Sequence, residues 1–156
     1  MTNVFLCSFA SPDLNLSVKR FKKQSKELNF YKGIKIFGLK DLSSAKQKQI
    51  LAFFQQGQKR LYGFACWKPE IILSYLDVIP QNSILQYSDI GCHFNYKGIK
   101  RLNDYIQIAD KNNILSFKYN KPNFDLKENF KFQIYYEYQY TKADSWKYLN
   151  IDQDSE

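Results

Sequence analysis

A chain of 156 residues is long enough for one compact domain with one core. Its composition, 44% hydrophobic and 17% aromatic, excludes an intrinsically disordered chain. Lysine and arginine number 23 against 15 acidic residues, a formal charge of +8. That charge favours polyanions (nucleic acid, anionic lipid or a sugar nucleotide) without choosing among them.

The amino terminus has no basic stretch followed by a long apolar one, and no apolar run approaches the ~20 residues that span a bilayer. The expectation is a cytoplasmic protein, with peripheral association at the inner face of the membrane as an extension of it. The cysteines, Cys7, Cys66 and Cys92, are odd in number and widely spaced, and no C-x-x-C pair occurs. That argues against a disulfide framework and a structural zinc site. His93 is the only histidine, which rules out any site that needs two.

Asn3 to Phe9 reads as a buried strand, since Val4, Phe5, Leu6 and Cys7 run without polar alternation. Ser11-Pro12-Asp13 breaks it and offers a helix start. Val18, Phe21, Ser25 and Leu28 then share one helical face, beside the basic cluster Lys19-Arg20-Phe21-Lys22-Lys23 and Lys26. That cluster reads as a solvated helix face, with a membrane-surface patch as the alternative. Ile34 to Phe37 is a second strand, and Ser43 to Phe54 a helix closed by Gly57. Pro69 suits the first turn of a helix running to about Val78.

Ile84 to Tyr87 is the next strand, and Ile99, Leu102, Ile106 and Ala109 mark another amphipathic helix. Ile114 to Phe117 reads as a strand, Lys118 to Asn129 as a loop, and Phe130 to Tyr140 as an extended segment. Thr141 to Asp144 resembles a capping box before a short helix. The alternation predicts an α/β fold, a mostly parallel sheet with flanking helices. A single domain is expected over 1–151, with a frayed acidic tail over 152–156.

In open parallel sheets ligands sit outside the carboxyl ends of the strands. Asp89 falls there, and Gly91 lets the backbone come close to a ligand. A carboxylate so placed holds a divalent cation bridging a diphosphate, or caps a loop. Arg60, Tyr62, Trp67 and Lys68 precede a helix start, whose free N–H groups suit a phosphate. Trp67 or Tyr62 is placed to stack on a base; alternatively Trp67 packs in the core and Lys68 is solvated. There is no Walker loop, no G-x-G-x-x-G and no G-x-S-x-G. Cys92 and His93, adjacent in an extended chain, point apart.

Taken together, Arg60…Tyr62-Gly63…Trp67-Lys68-Pro69 and Tyr87-Ser88-Asp89-Ile90-Gly91-Cys92 resemble a bacterial family of GT-A-type glycosyltransferases associated with capsule, lipopolysaccharide and other surface polysaccharides. Gly98 to Leu102, Asp104-Tyr105-Ile106 and Tyr140 to Asp144 resemble later elements of that family. Ala65, Cys66, Glu70 and Tyr140 depart from its pattern. The resemblance implies a GT-A-like fold and transfer of a sugar, of hexosyl type, from a nucleotide-diphospho-sugar to a glycan acceptor. A UDP-sugar is the first choice of donor, with Mn²⁺ or Mg²⁺.

It also implies a donor site at Ser8, Phe9, Arg60, Tyr62, Trp67, Lys68, Asp89 and Gly91, with Asp89 and His93 toward the metal. Gly91 stands where a second carboxylate is usual. Family members continue beyond the Thr-Lys-x-Asp element, so the donor-binding part alone, or an inactive truncated remnant, is a second form of the expectation. The residues single out no catalytic base; Asp104, Glu137 and Asp144 are candidates as acids only. The alternative class is a basic anion- or nucleic-acid-binding module, resting on charge and aromatics. No nucleic-acid motif occurs, so no nucleic-acid partner is expected.

Overall fold

Three parallel strands form the sheet: β1 (Val4–Phe9), β2 (Gly33–Phe37) and β3 (Ile84–Tyr87), in the order β2-β1-β3. The computed structural model describes residues 2–59 and 61–115. β1 is the middle strand, with Phe5 opposite Gly33 through Phe9 opposite Phe37 on one side. On its other side Val4 faces Ile84 and Cys7 faces Tyr87. Its unalternated apolar run follows from this position, because a central parallel strand is covered on both faces.

Successive side chains of β1 alternate between two cores. Cys7 and Phe9 join Phe37, Leu42, Ile50, Trp67, Ile71 and Tyr75. That core lies under α2 (Ser44–Gln55) and α4 (Lys68–Leu76). Leu6 and Ala10 join Phe21 and Ile90 on the opposite face, under α1 (Asn15–Glu27). Ser25, buried in α1, donates its hydroxyl proton to the Phe21 carbonyl at 2.6 Å, so the buried hydroxyl is satisfied.

The two helices over the first core are tied at their amino ends. Ser43 caps α2 by accepting the Lys46 N–H. The Glu70 carboxylate, in the first turn of α4, accepts from the Ser43 N–H and from its hydroxyl. Glu70 thus has a structural partner here.

Between α2 and α4 lies α3 (Leu61–Phe64), a single turn that periodicity does not predict. Tyr62, Gly63, Phe64 and Ala65 all have positive φ, between 50° and 83°. Non-glycine residues occupy that region at a cost of about 1–2 kcal/mol each. Ring contacts offset it: Tyr62 lies against Phe9 and Phe54, and Phe64 against Phe53.

α1, α2, α4, α5 (Ile99–Asn112) and the three strands fall close to where the sequence places them, while two short 3-10 turns, Leu39–Asp41 and Tyr96–Gly98, are not expected from it. α5 ends at Asn113, which is left-handed. The strand expected at Ile114 to Phe117 does not begin there: Ile114 and Leu115 are irregular. A short apolar run carries no periodicity to separate strand from other buried segments. Ser116 and Phe117, the loop at 118–129, the extended segment at 130–140 and the helix after Thr141 lie outside the described residues. The chain divides into two units, Met1–Ile114 and Leu115–Glu156, and all that is described here belongs to the first, Leu115 apart. Among the described residues no helix is long and apolar enough to cross a membrane.

Candidate functional site

From β1 the chain passes to β2 on one side and later to β3 on the other. The loops leaving β1 and β3 therefore diverge, and such a reversal opens a crevice at the carboxyl ends of the strands. A cleft of about 590 Å³ lies there, within the size range of small-molecule sites. The end of β1 contributes Phe9, Ser11, Asp13 and Leu14; the far side contributes Phe54, Lys59, Tyr62, Ala65, Trp67 and Lys68; the loop after β3 contributes Asp89, Ile90 and Gly91.

Trp67 forms the floor. It is 6% exposed and stacks on Phe9, with ring centroids 4.0 Å apart. Its indole N–H is buried without a hydrogen-bond partner among the described residues. Since Phe9 covers one ring face, Trp67 serves first as core; Tyr62, half-buried in the wall, is the more accessible ring. Burial, and then the charge of Asp13, raises the Tyr62 hydroxyl above its ordinary pKa.

Asp89 stands just beyond β3 with two partners on one oxygen. The Tyr87 hydroxyl donates to Oδ1, and the Lys68 ammonium lies 3.4 Å from the same atom. Lys68 Nζ also lies 4.6 Å from the Tyr87 ring centroid and 6.0 Å from that of Trp67. Burial first, then the hydrogen bond to Asp89, pushes the Tyr87 pKa far up, so the hydroxyl keeps its proton and remains a donor.

Six residues named from the sequence, Phe9, Tyr62, Trp67, Lys68, Asp89 and Gly91, therefore meet at one cleft. Gly91 faces open space: a Cβ there would meet nothing within 4 Å. Ser8 is not brought to it. Its side chain is fully buried, and by strand alternation it lies on the face of Leu6 and Ala10. His93 is exposed and does not line the cleft, so it is not joined with Asp89 into a ligand pair there. Asp104 is exposed on α5, also away from the cleft lining. Arg60, Glu137 and Asp144 lie outside the described residues.

Sequence reasoning missed Asp13, Lys59 and Phe54 as lining residues, and it missed Arg20. The Arg20 guanidinium donates to the carbonyls of Ile90 at 2.8 Å and Cys92 at 3.3 Å. Gln24, one turn later, accepts the Phe94 N–H. This edge of α1 pins the loop that carries Gly91. The i,i+4 spacing of Arg20 and Gln24 beside buried Phe21 and Ser25 was the available signal.

A divalent cation of the kind the family resemblance implies is bound by oxygen, and Mg²⁺ uses one or two carboxylates with waters and substrate phosphates. Among the described residues no three His, Cys, Asp or Glu side chains converge. Asp89 is matched in charge by Lys68, Asp13 is the other carboxylate on the lining, and position 91 offers none. Two carboxylates, one of them already paired with an ammonium, are a poor fit to a resident divalent cation. The lining offers two ammonium groups, Lys59 and Lys68, beside two carboxylates, Asp13 and Asp89, and aromatic rings; the ammonium groups suit an anion that carries a planar ring. No protein-family model, curated protein or solved structure matches the chain.

Proposed function

We propose that the cleft binds a nucleotide-diphospho-sugar, and that the chain is a glycosyltransferase of GT-A type, or its donor-binding part, acting toward a surface-glycan acceptor. The observation that carries this reading is the meeting of Phe9, Tyr62, Trp67, Lys68, Asp89 and Gly91 at the switch point of a parallel sheet. In the transfer, the acceptor oxygen bonds to the anomeric carbon while the bond from that carbon to the diphosphate oxygen breaks. The diphosphate leaves with the electron pair, and the proton of the acceptor hydroxyl passes to water. Lys68 and Lys59 are placed to oppose the charge that grows on the leaving group. Tyr62 is the wall against which the base rests. A UDP-sugar is the first donor to try, and the reading places the reaction in the cytoplasm, with the acceptor at the inner face of a membrane.

A thermal-shift panel of UDP-, GDP-, CMP- and dTDP-sugars, each with and without Mn²⁺, tests it. A ligand that binds only the folded state at 100 times its Kd adds about 2.7 kcal/mol, several degrees in Tm for a domain of this size. At least one donor is expected to raise Tm. No shift with any of them, in either condition, overturns the reading.

A further inference from the structure

We infer that Lys68 is the resident cation of the cleft, that it binds a diphosphate without a divalent metal, and that Asp89 is its counter-ion rather than a metal ligand. The inference rests on the nucleotide-sugar reading for its ligand; the role of Asp89 stands on its contacts with Lys68 and Tyr87. Asp89 Oδ1 receives both the Tyr87 hydroxyl and the Lys68 ammonium. A metal on the other oxygen, Oδ2, would sit as a double charge beside an ammonium that lies over two rings. Like charges at such distances repel, so Lys68 disfavours a metal on this carboxylate.

An anion meets two carboxylates on the lining, Asp13 and Asp89, and the ammonium groups of Lys59 and Lys68 offset them. The Lys68 side chain is 38% exposed and that of Asp89 66%, so the pair is open to solvent at the cleft. An exposed ion pair is worth little. A phosphate oxygen that takes the place of Asp89 on Nζ makes a charge-assisted hydrogen bond in its stead. Lys59 supplies a second positive charge on the lining, and the open space before Gly91 gives the anion room.

The two roles for Asp89 predict opposite signs. A metal ligand cannot be lost without loss of binding, whereas removing a counter-ion frees the lysine. Isothermal titration of the full chain with inorganic pyrophosphate and with UDP, in EDTA and then in Mn²⁺, separates them. Both ligands are expected to bind in EDTA. Lys68→Gln should weaken binding about tenfold or more, the worth of a hydrogen bond to a charged group. Lys68→Arg keeps the charge and should retain it. Asp89→Asn, which preserves an acceptor for Tyr87, should tighten binding by about two- to fivefold, the range of an exposed ion pair.

Binding that requires Mn²⁺ and is lost in Asp89→Asn overturns the inference and leaves the nucleotide-sugar reading standing. Pyrophosphate binding in EDTA with the predicted variant signs, but no gain for UDP, upholds the inference and removes the nucleotide. Weakening in Asp89→Asn in EDTA overturns the counter-ion role even if Lys68→Gln does not fold. Absence of binding by either ligand in either condition overturns both.

Discussion

Trp67 and Phe9 lie face to face, 16° from parallel, and so join the amino end of α4 to the carboxyl end of β1. The contact makes the cleft floor part of the core. Trp67→Ala should therefore cost about 3–5 kcal/mol, as aromatic truncations in packed sites do. Trp67→Phe keeps a ring on Phe9 and should cost much less. Urea unfolding of both variants measures this. A loss below about 1 kcal/mol for Trp67→Ala would show that the indole is a ligand platform with little part in the core.

Ser8 predicts the reverse. Its hydroxyl is fully buried and has no hydrogen-bond partner among the described residues. An unsatisfied buried hydroxyl carries a desolvation cost of about 1–3 kcal/mol. Ser8→Ala removes it while leaving the backbone register of β1 intact, so stability should hold or rise by up to about 1 kcal/mol. Ligand binding should not change. A clear drop in the urea midpoint would mean that the hydroxyl has found a partner in solution.

These two residues also show where the sequence was legible. The unalternated run of β1 announced a strand covered on both faces, helical periodicity placed α1 and α5, Gly57 closed α2 and Pro69 opened α4. Asp89 could be put at a strand end because β3 is short and bounded by turn residues. Ser8 and Phe9 were read together as neighbours in sequence, yet period-2 alternation sends them into different cores. Asp13 and Lys59 reach the cleft from connecting segments, which carry no periodic signal. The left-handed turn at Tyr62 to Ala65 was illegible for a different reason. It rests on ring packing against Phe9, Phe54 and Phe53, contacts distant in sequence from the strain they offset.

Arg20 was hidden inside a basic cluster, and its neighbours provide the control. Lys19 and Lys22 are exposed on α1, whereas Arg20 donates to the Ile90 and Cys92 carbonyls. Arg20→Met should cost about 1.5–3 kcal/mol, the range for hydrogen bonds from a charged donor. Amide exchange should quicken across residues 90–94. Lys19→Ala and Lys22→Ala should stay within about 0.5 kcal/mol of the parent. Equal effects for all three would remove Arg20 from its role in holding the loop.

Two glycines separate backbone need from open space. Gly63 has φ 83°, and a Cβ there would lie 3.2 Å from Ile50 Cγ1 and 3.4 Å from a Phe53 ring carbon. Gly63→Ala should cost about 1–2 kcal/mol for the conformation alone, with the contact to Ile50 adding to it. Gly91→Ala meets nothing and should fall within about 0.5 kcal/mol. Gly91→Phe should also fold, yet fill the mouth of the cleft and weaken pyrophosphate binding. Undiminished binding in that variant would place the anion elsewhere.

Alkaline pH should unfold the protein early, and the sign follows from three weak acids, the buried Cys7 and the half-buried Tyr31 and Tyr87. Burial pushes the Cys7 thiol from 9.0 to about 12 and the Tyr31 hydroxyl from 10.0 to about 12, the latter against the opposing effect of its hydrogen bond to Gln86. Tyr87 is raised further, by burial and by Asp89. The folded state thus retains protons that the unfolded chain gives up. This contribution to stability is whole below about pH 9 and is lost progressively as pH rises from 9 toward 12. The urea midpoint should be level between pH 7 and 8.5 and decline through pH 10 and 11. Cys7→Ala removes the group with the lowest ordinary pKa of the three, so its decline should begin about one pH unit later, at the tyrosine value of 10.0. A midpoint that stays flat to pH 11 would mean that these groups titrate freely in the folded chain.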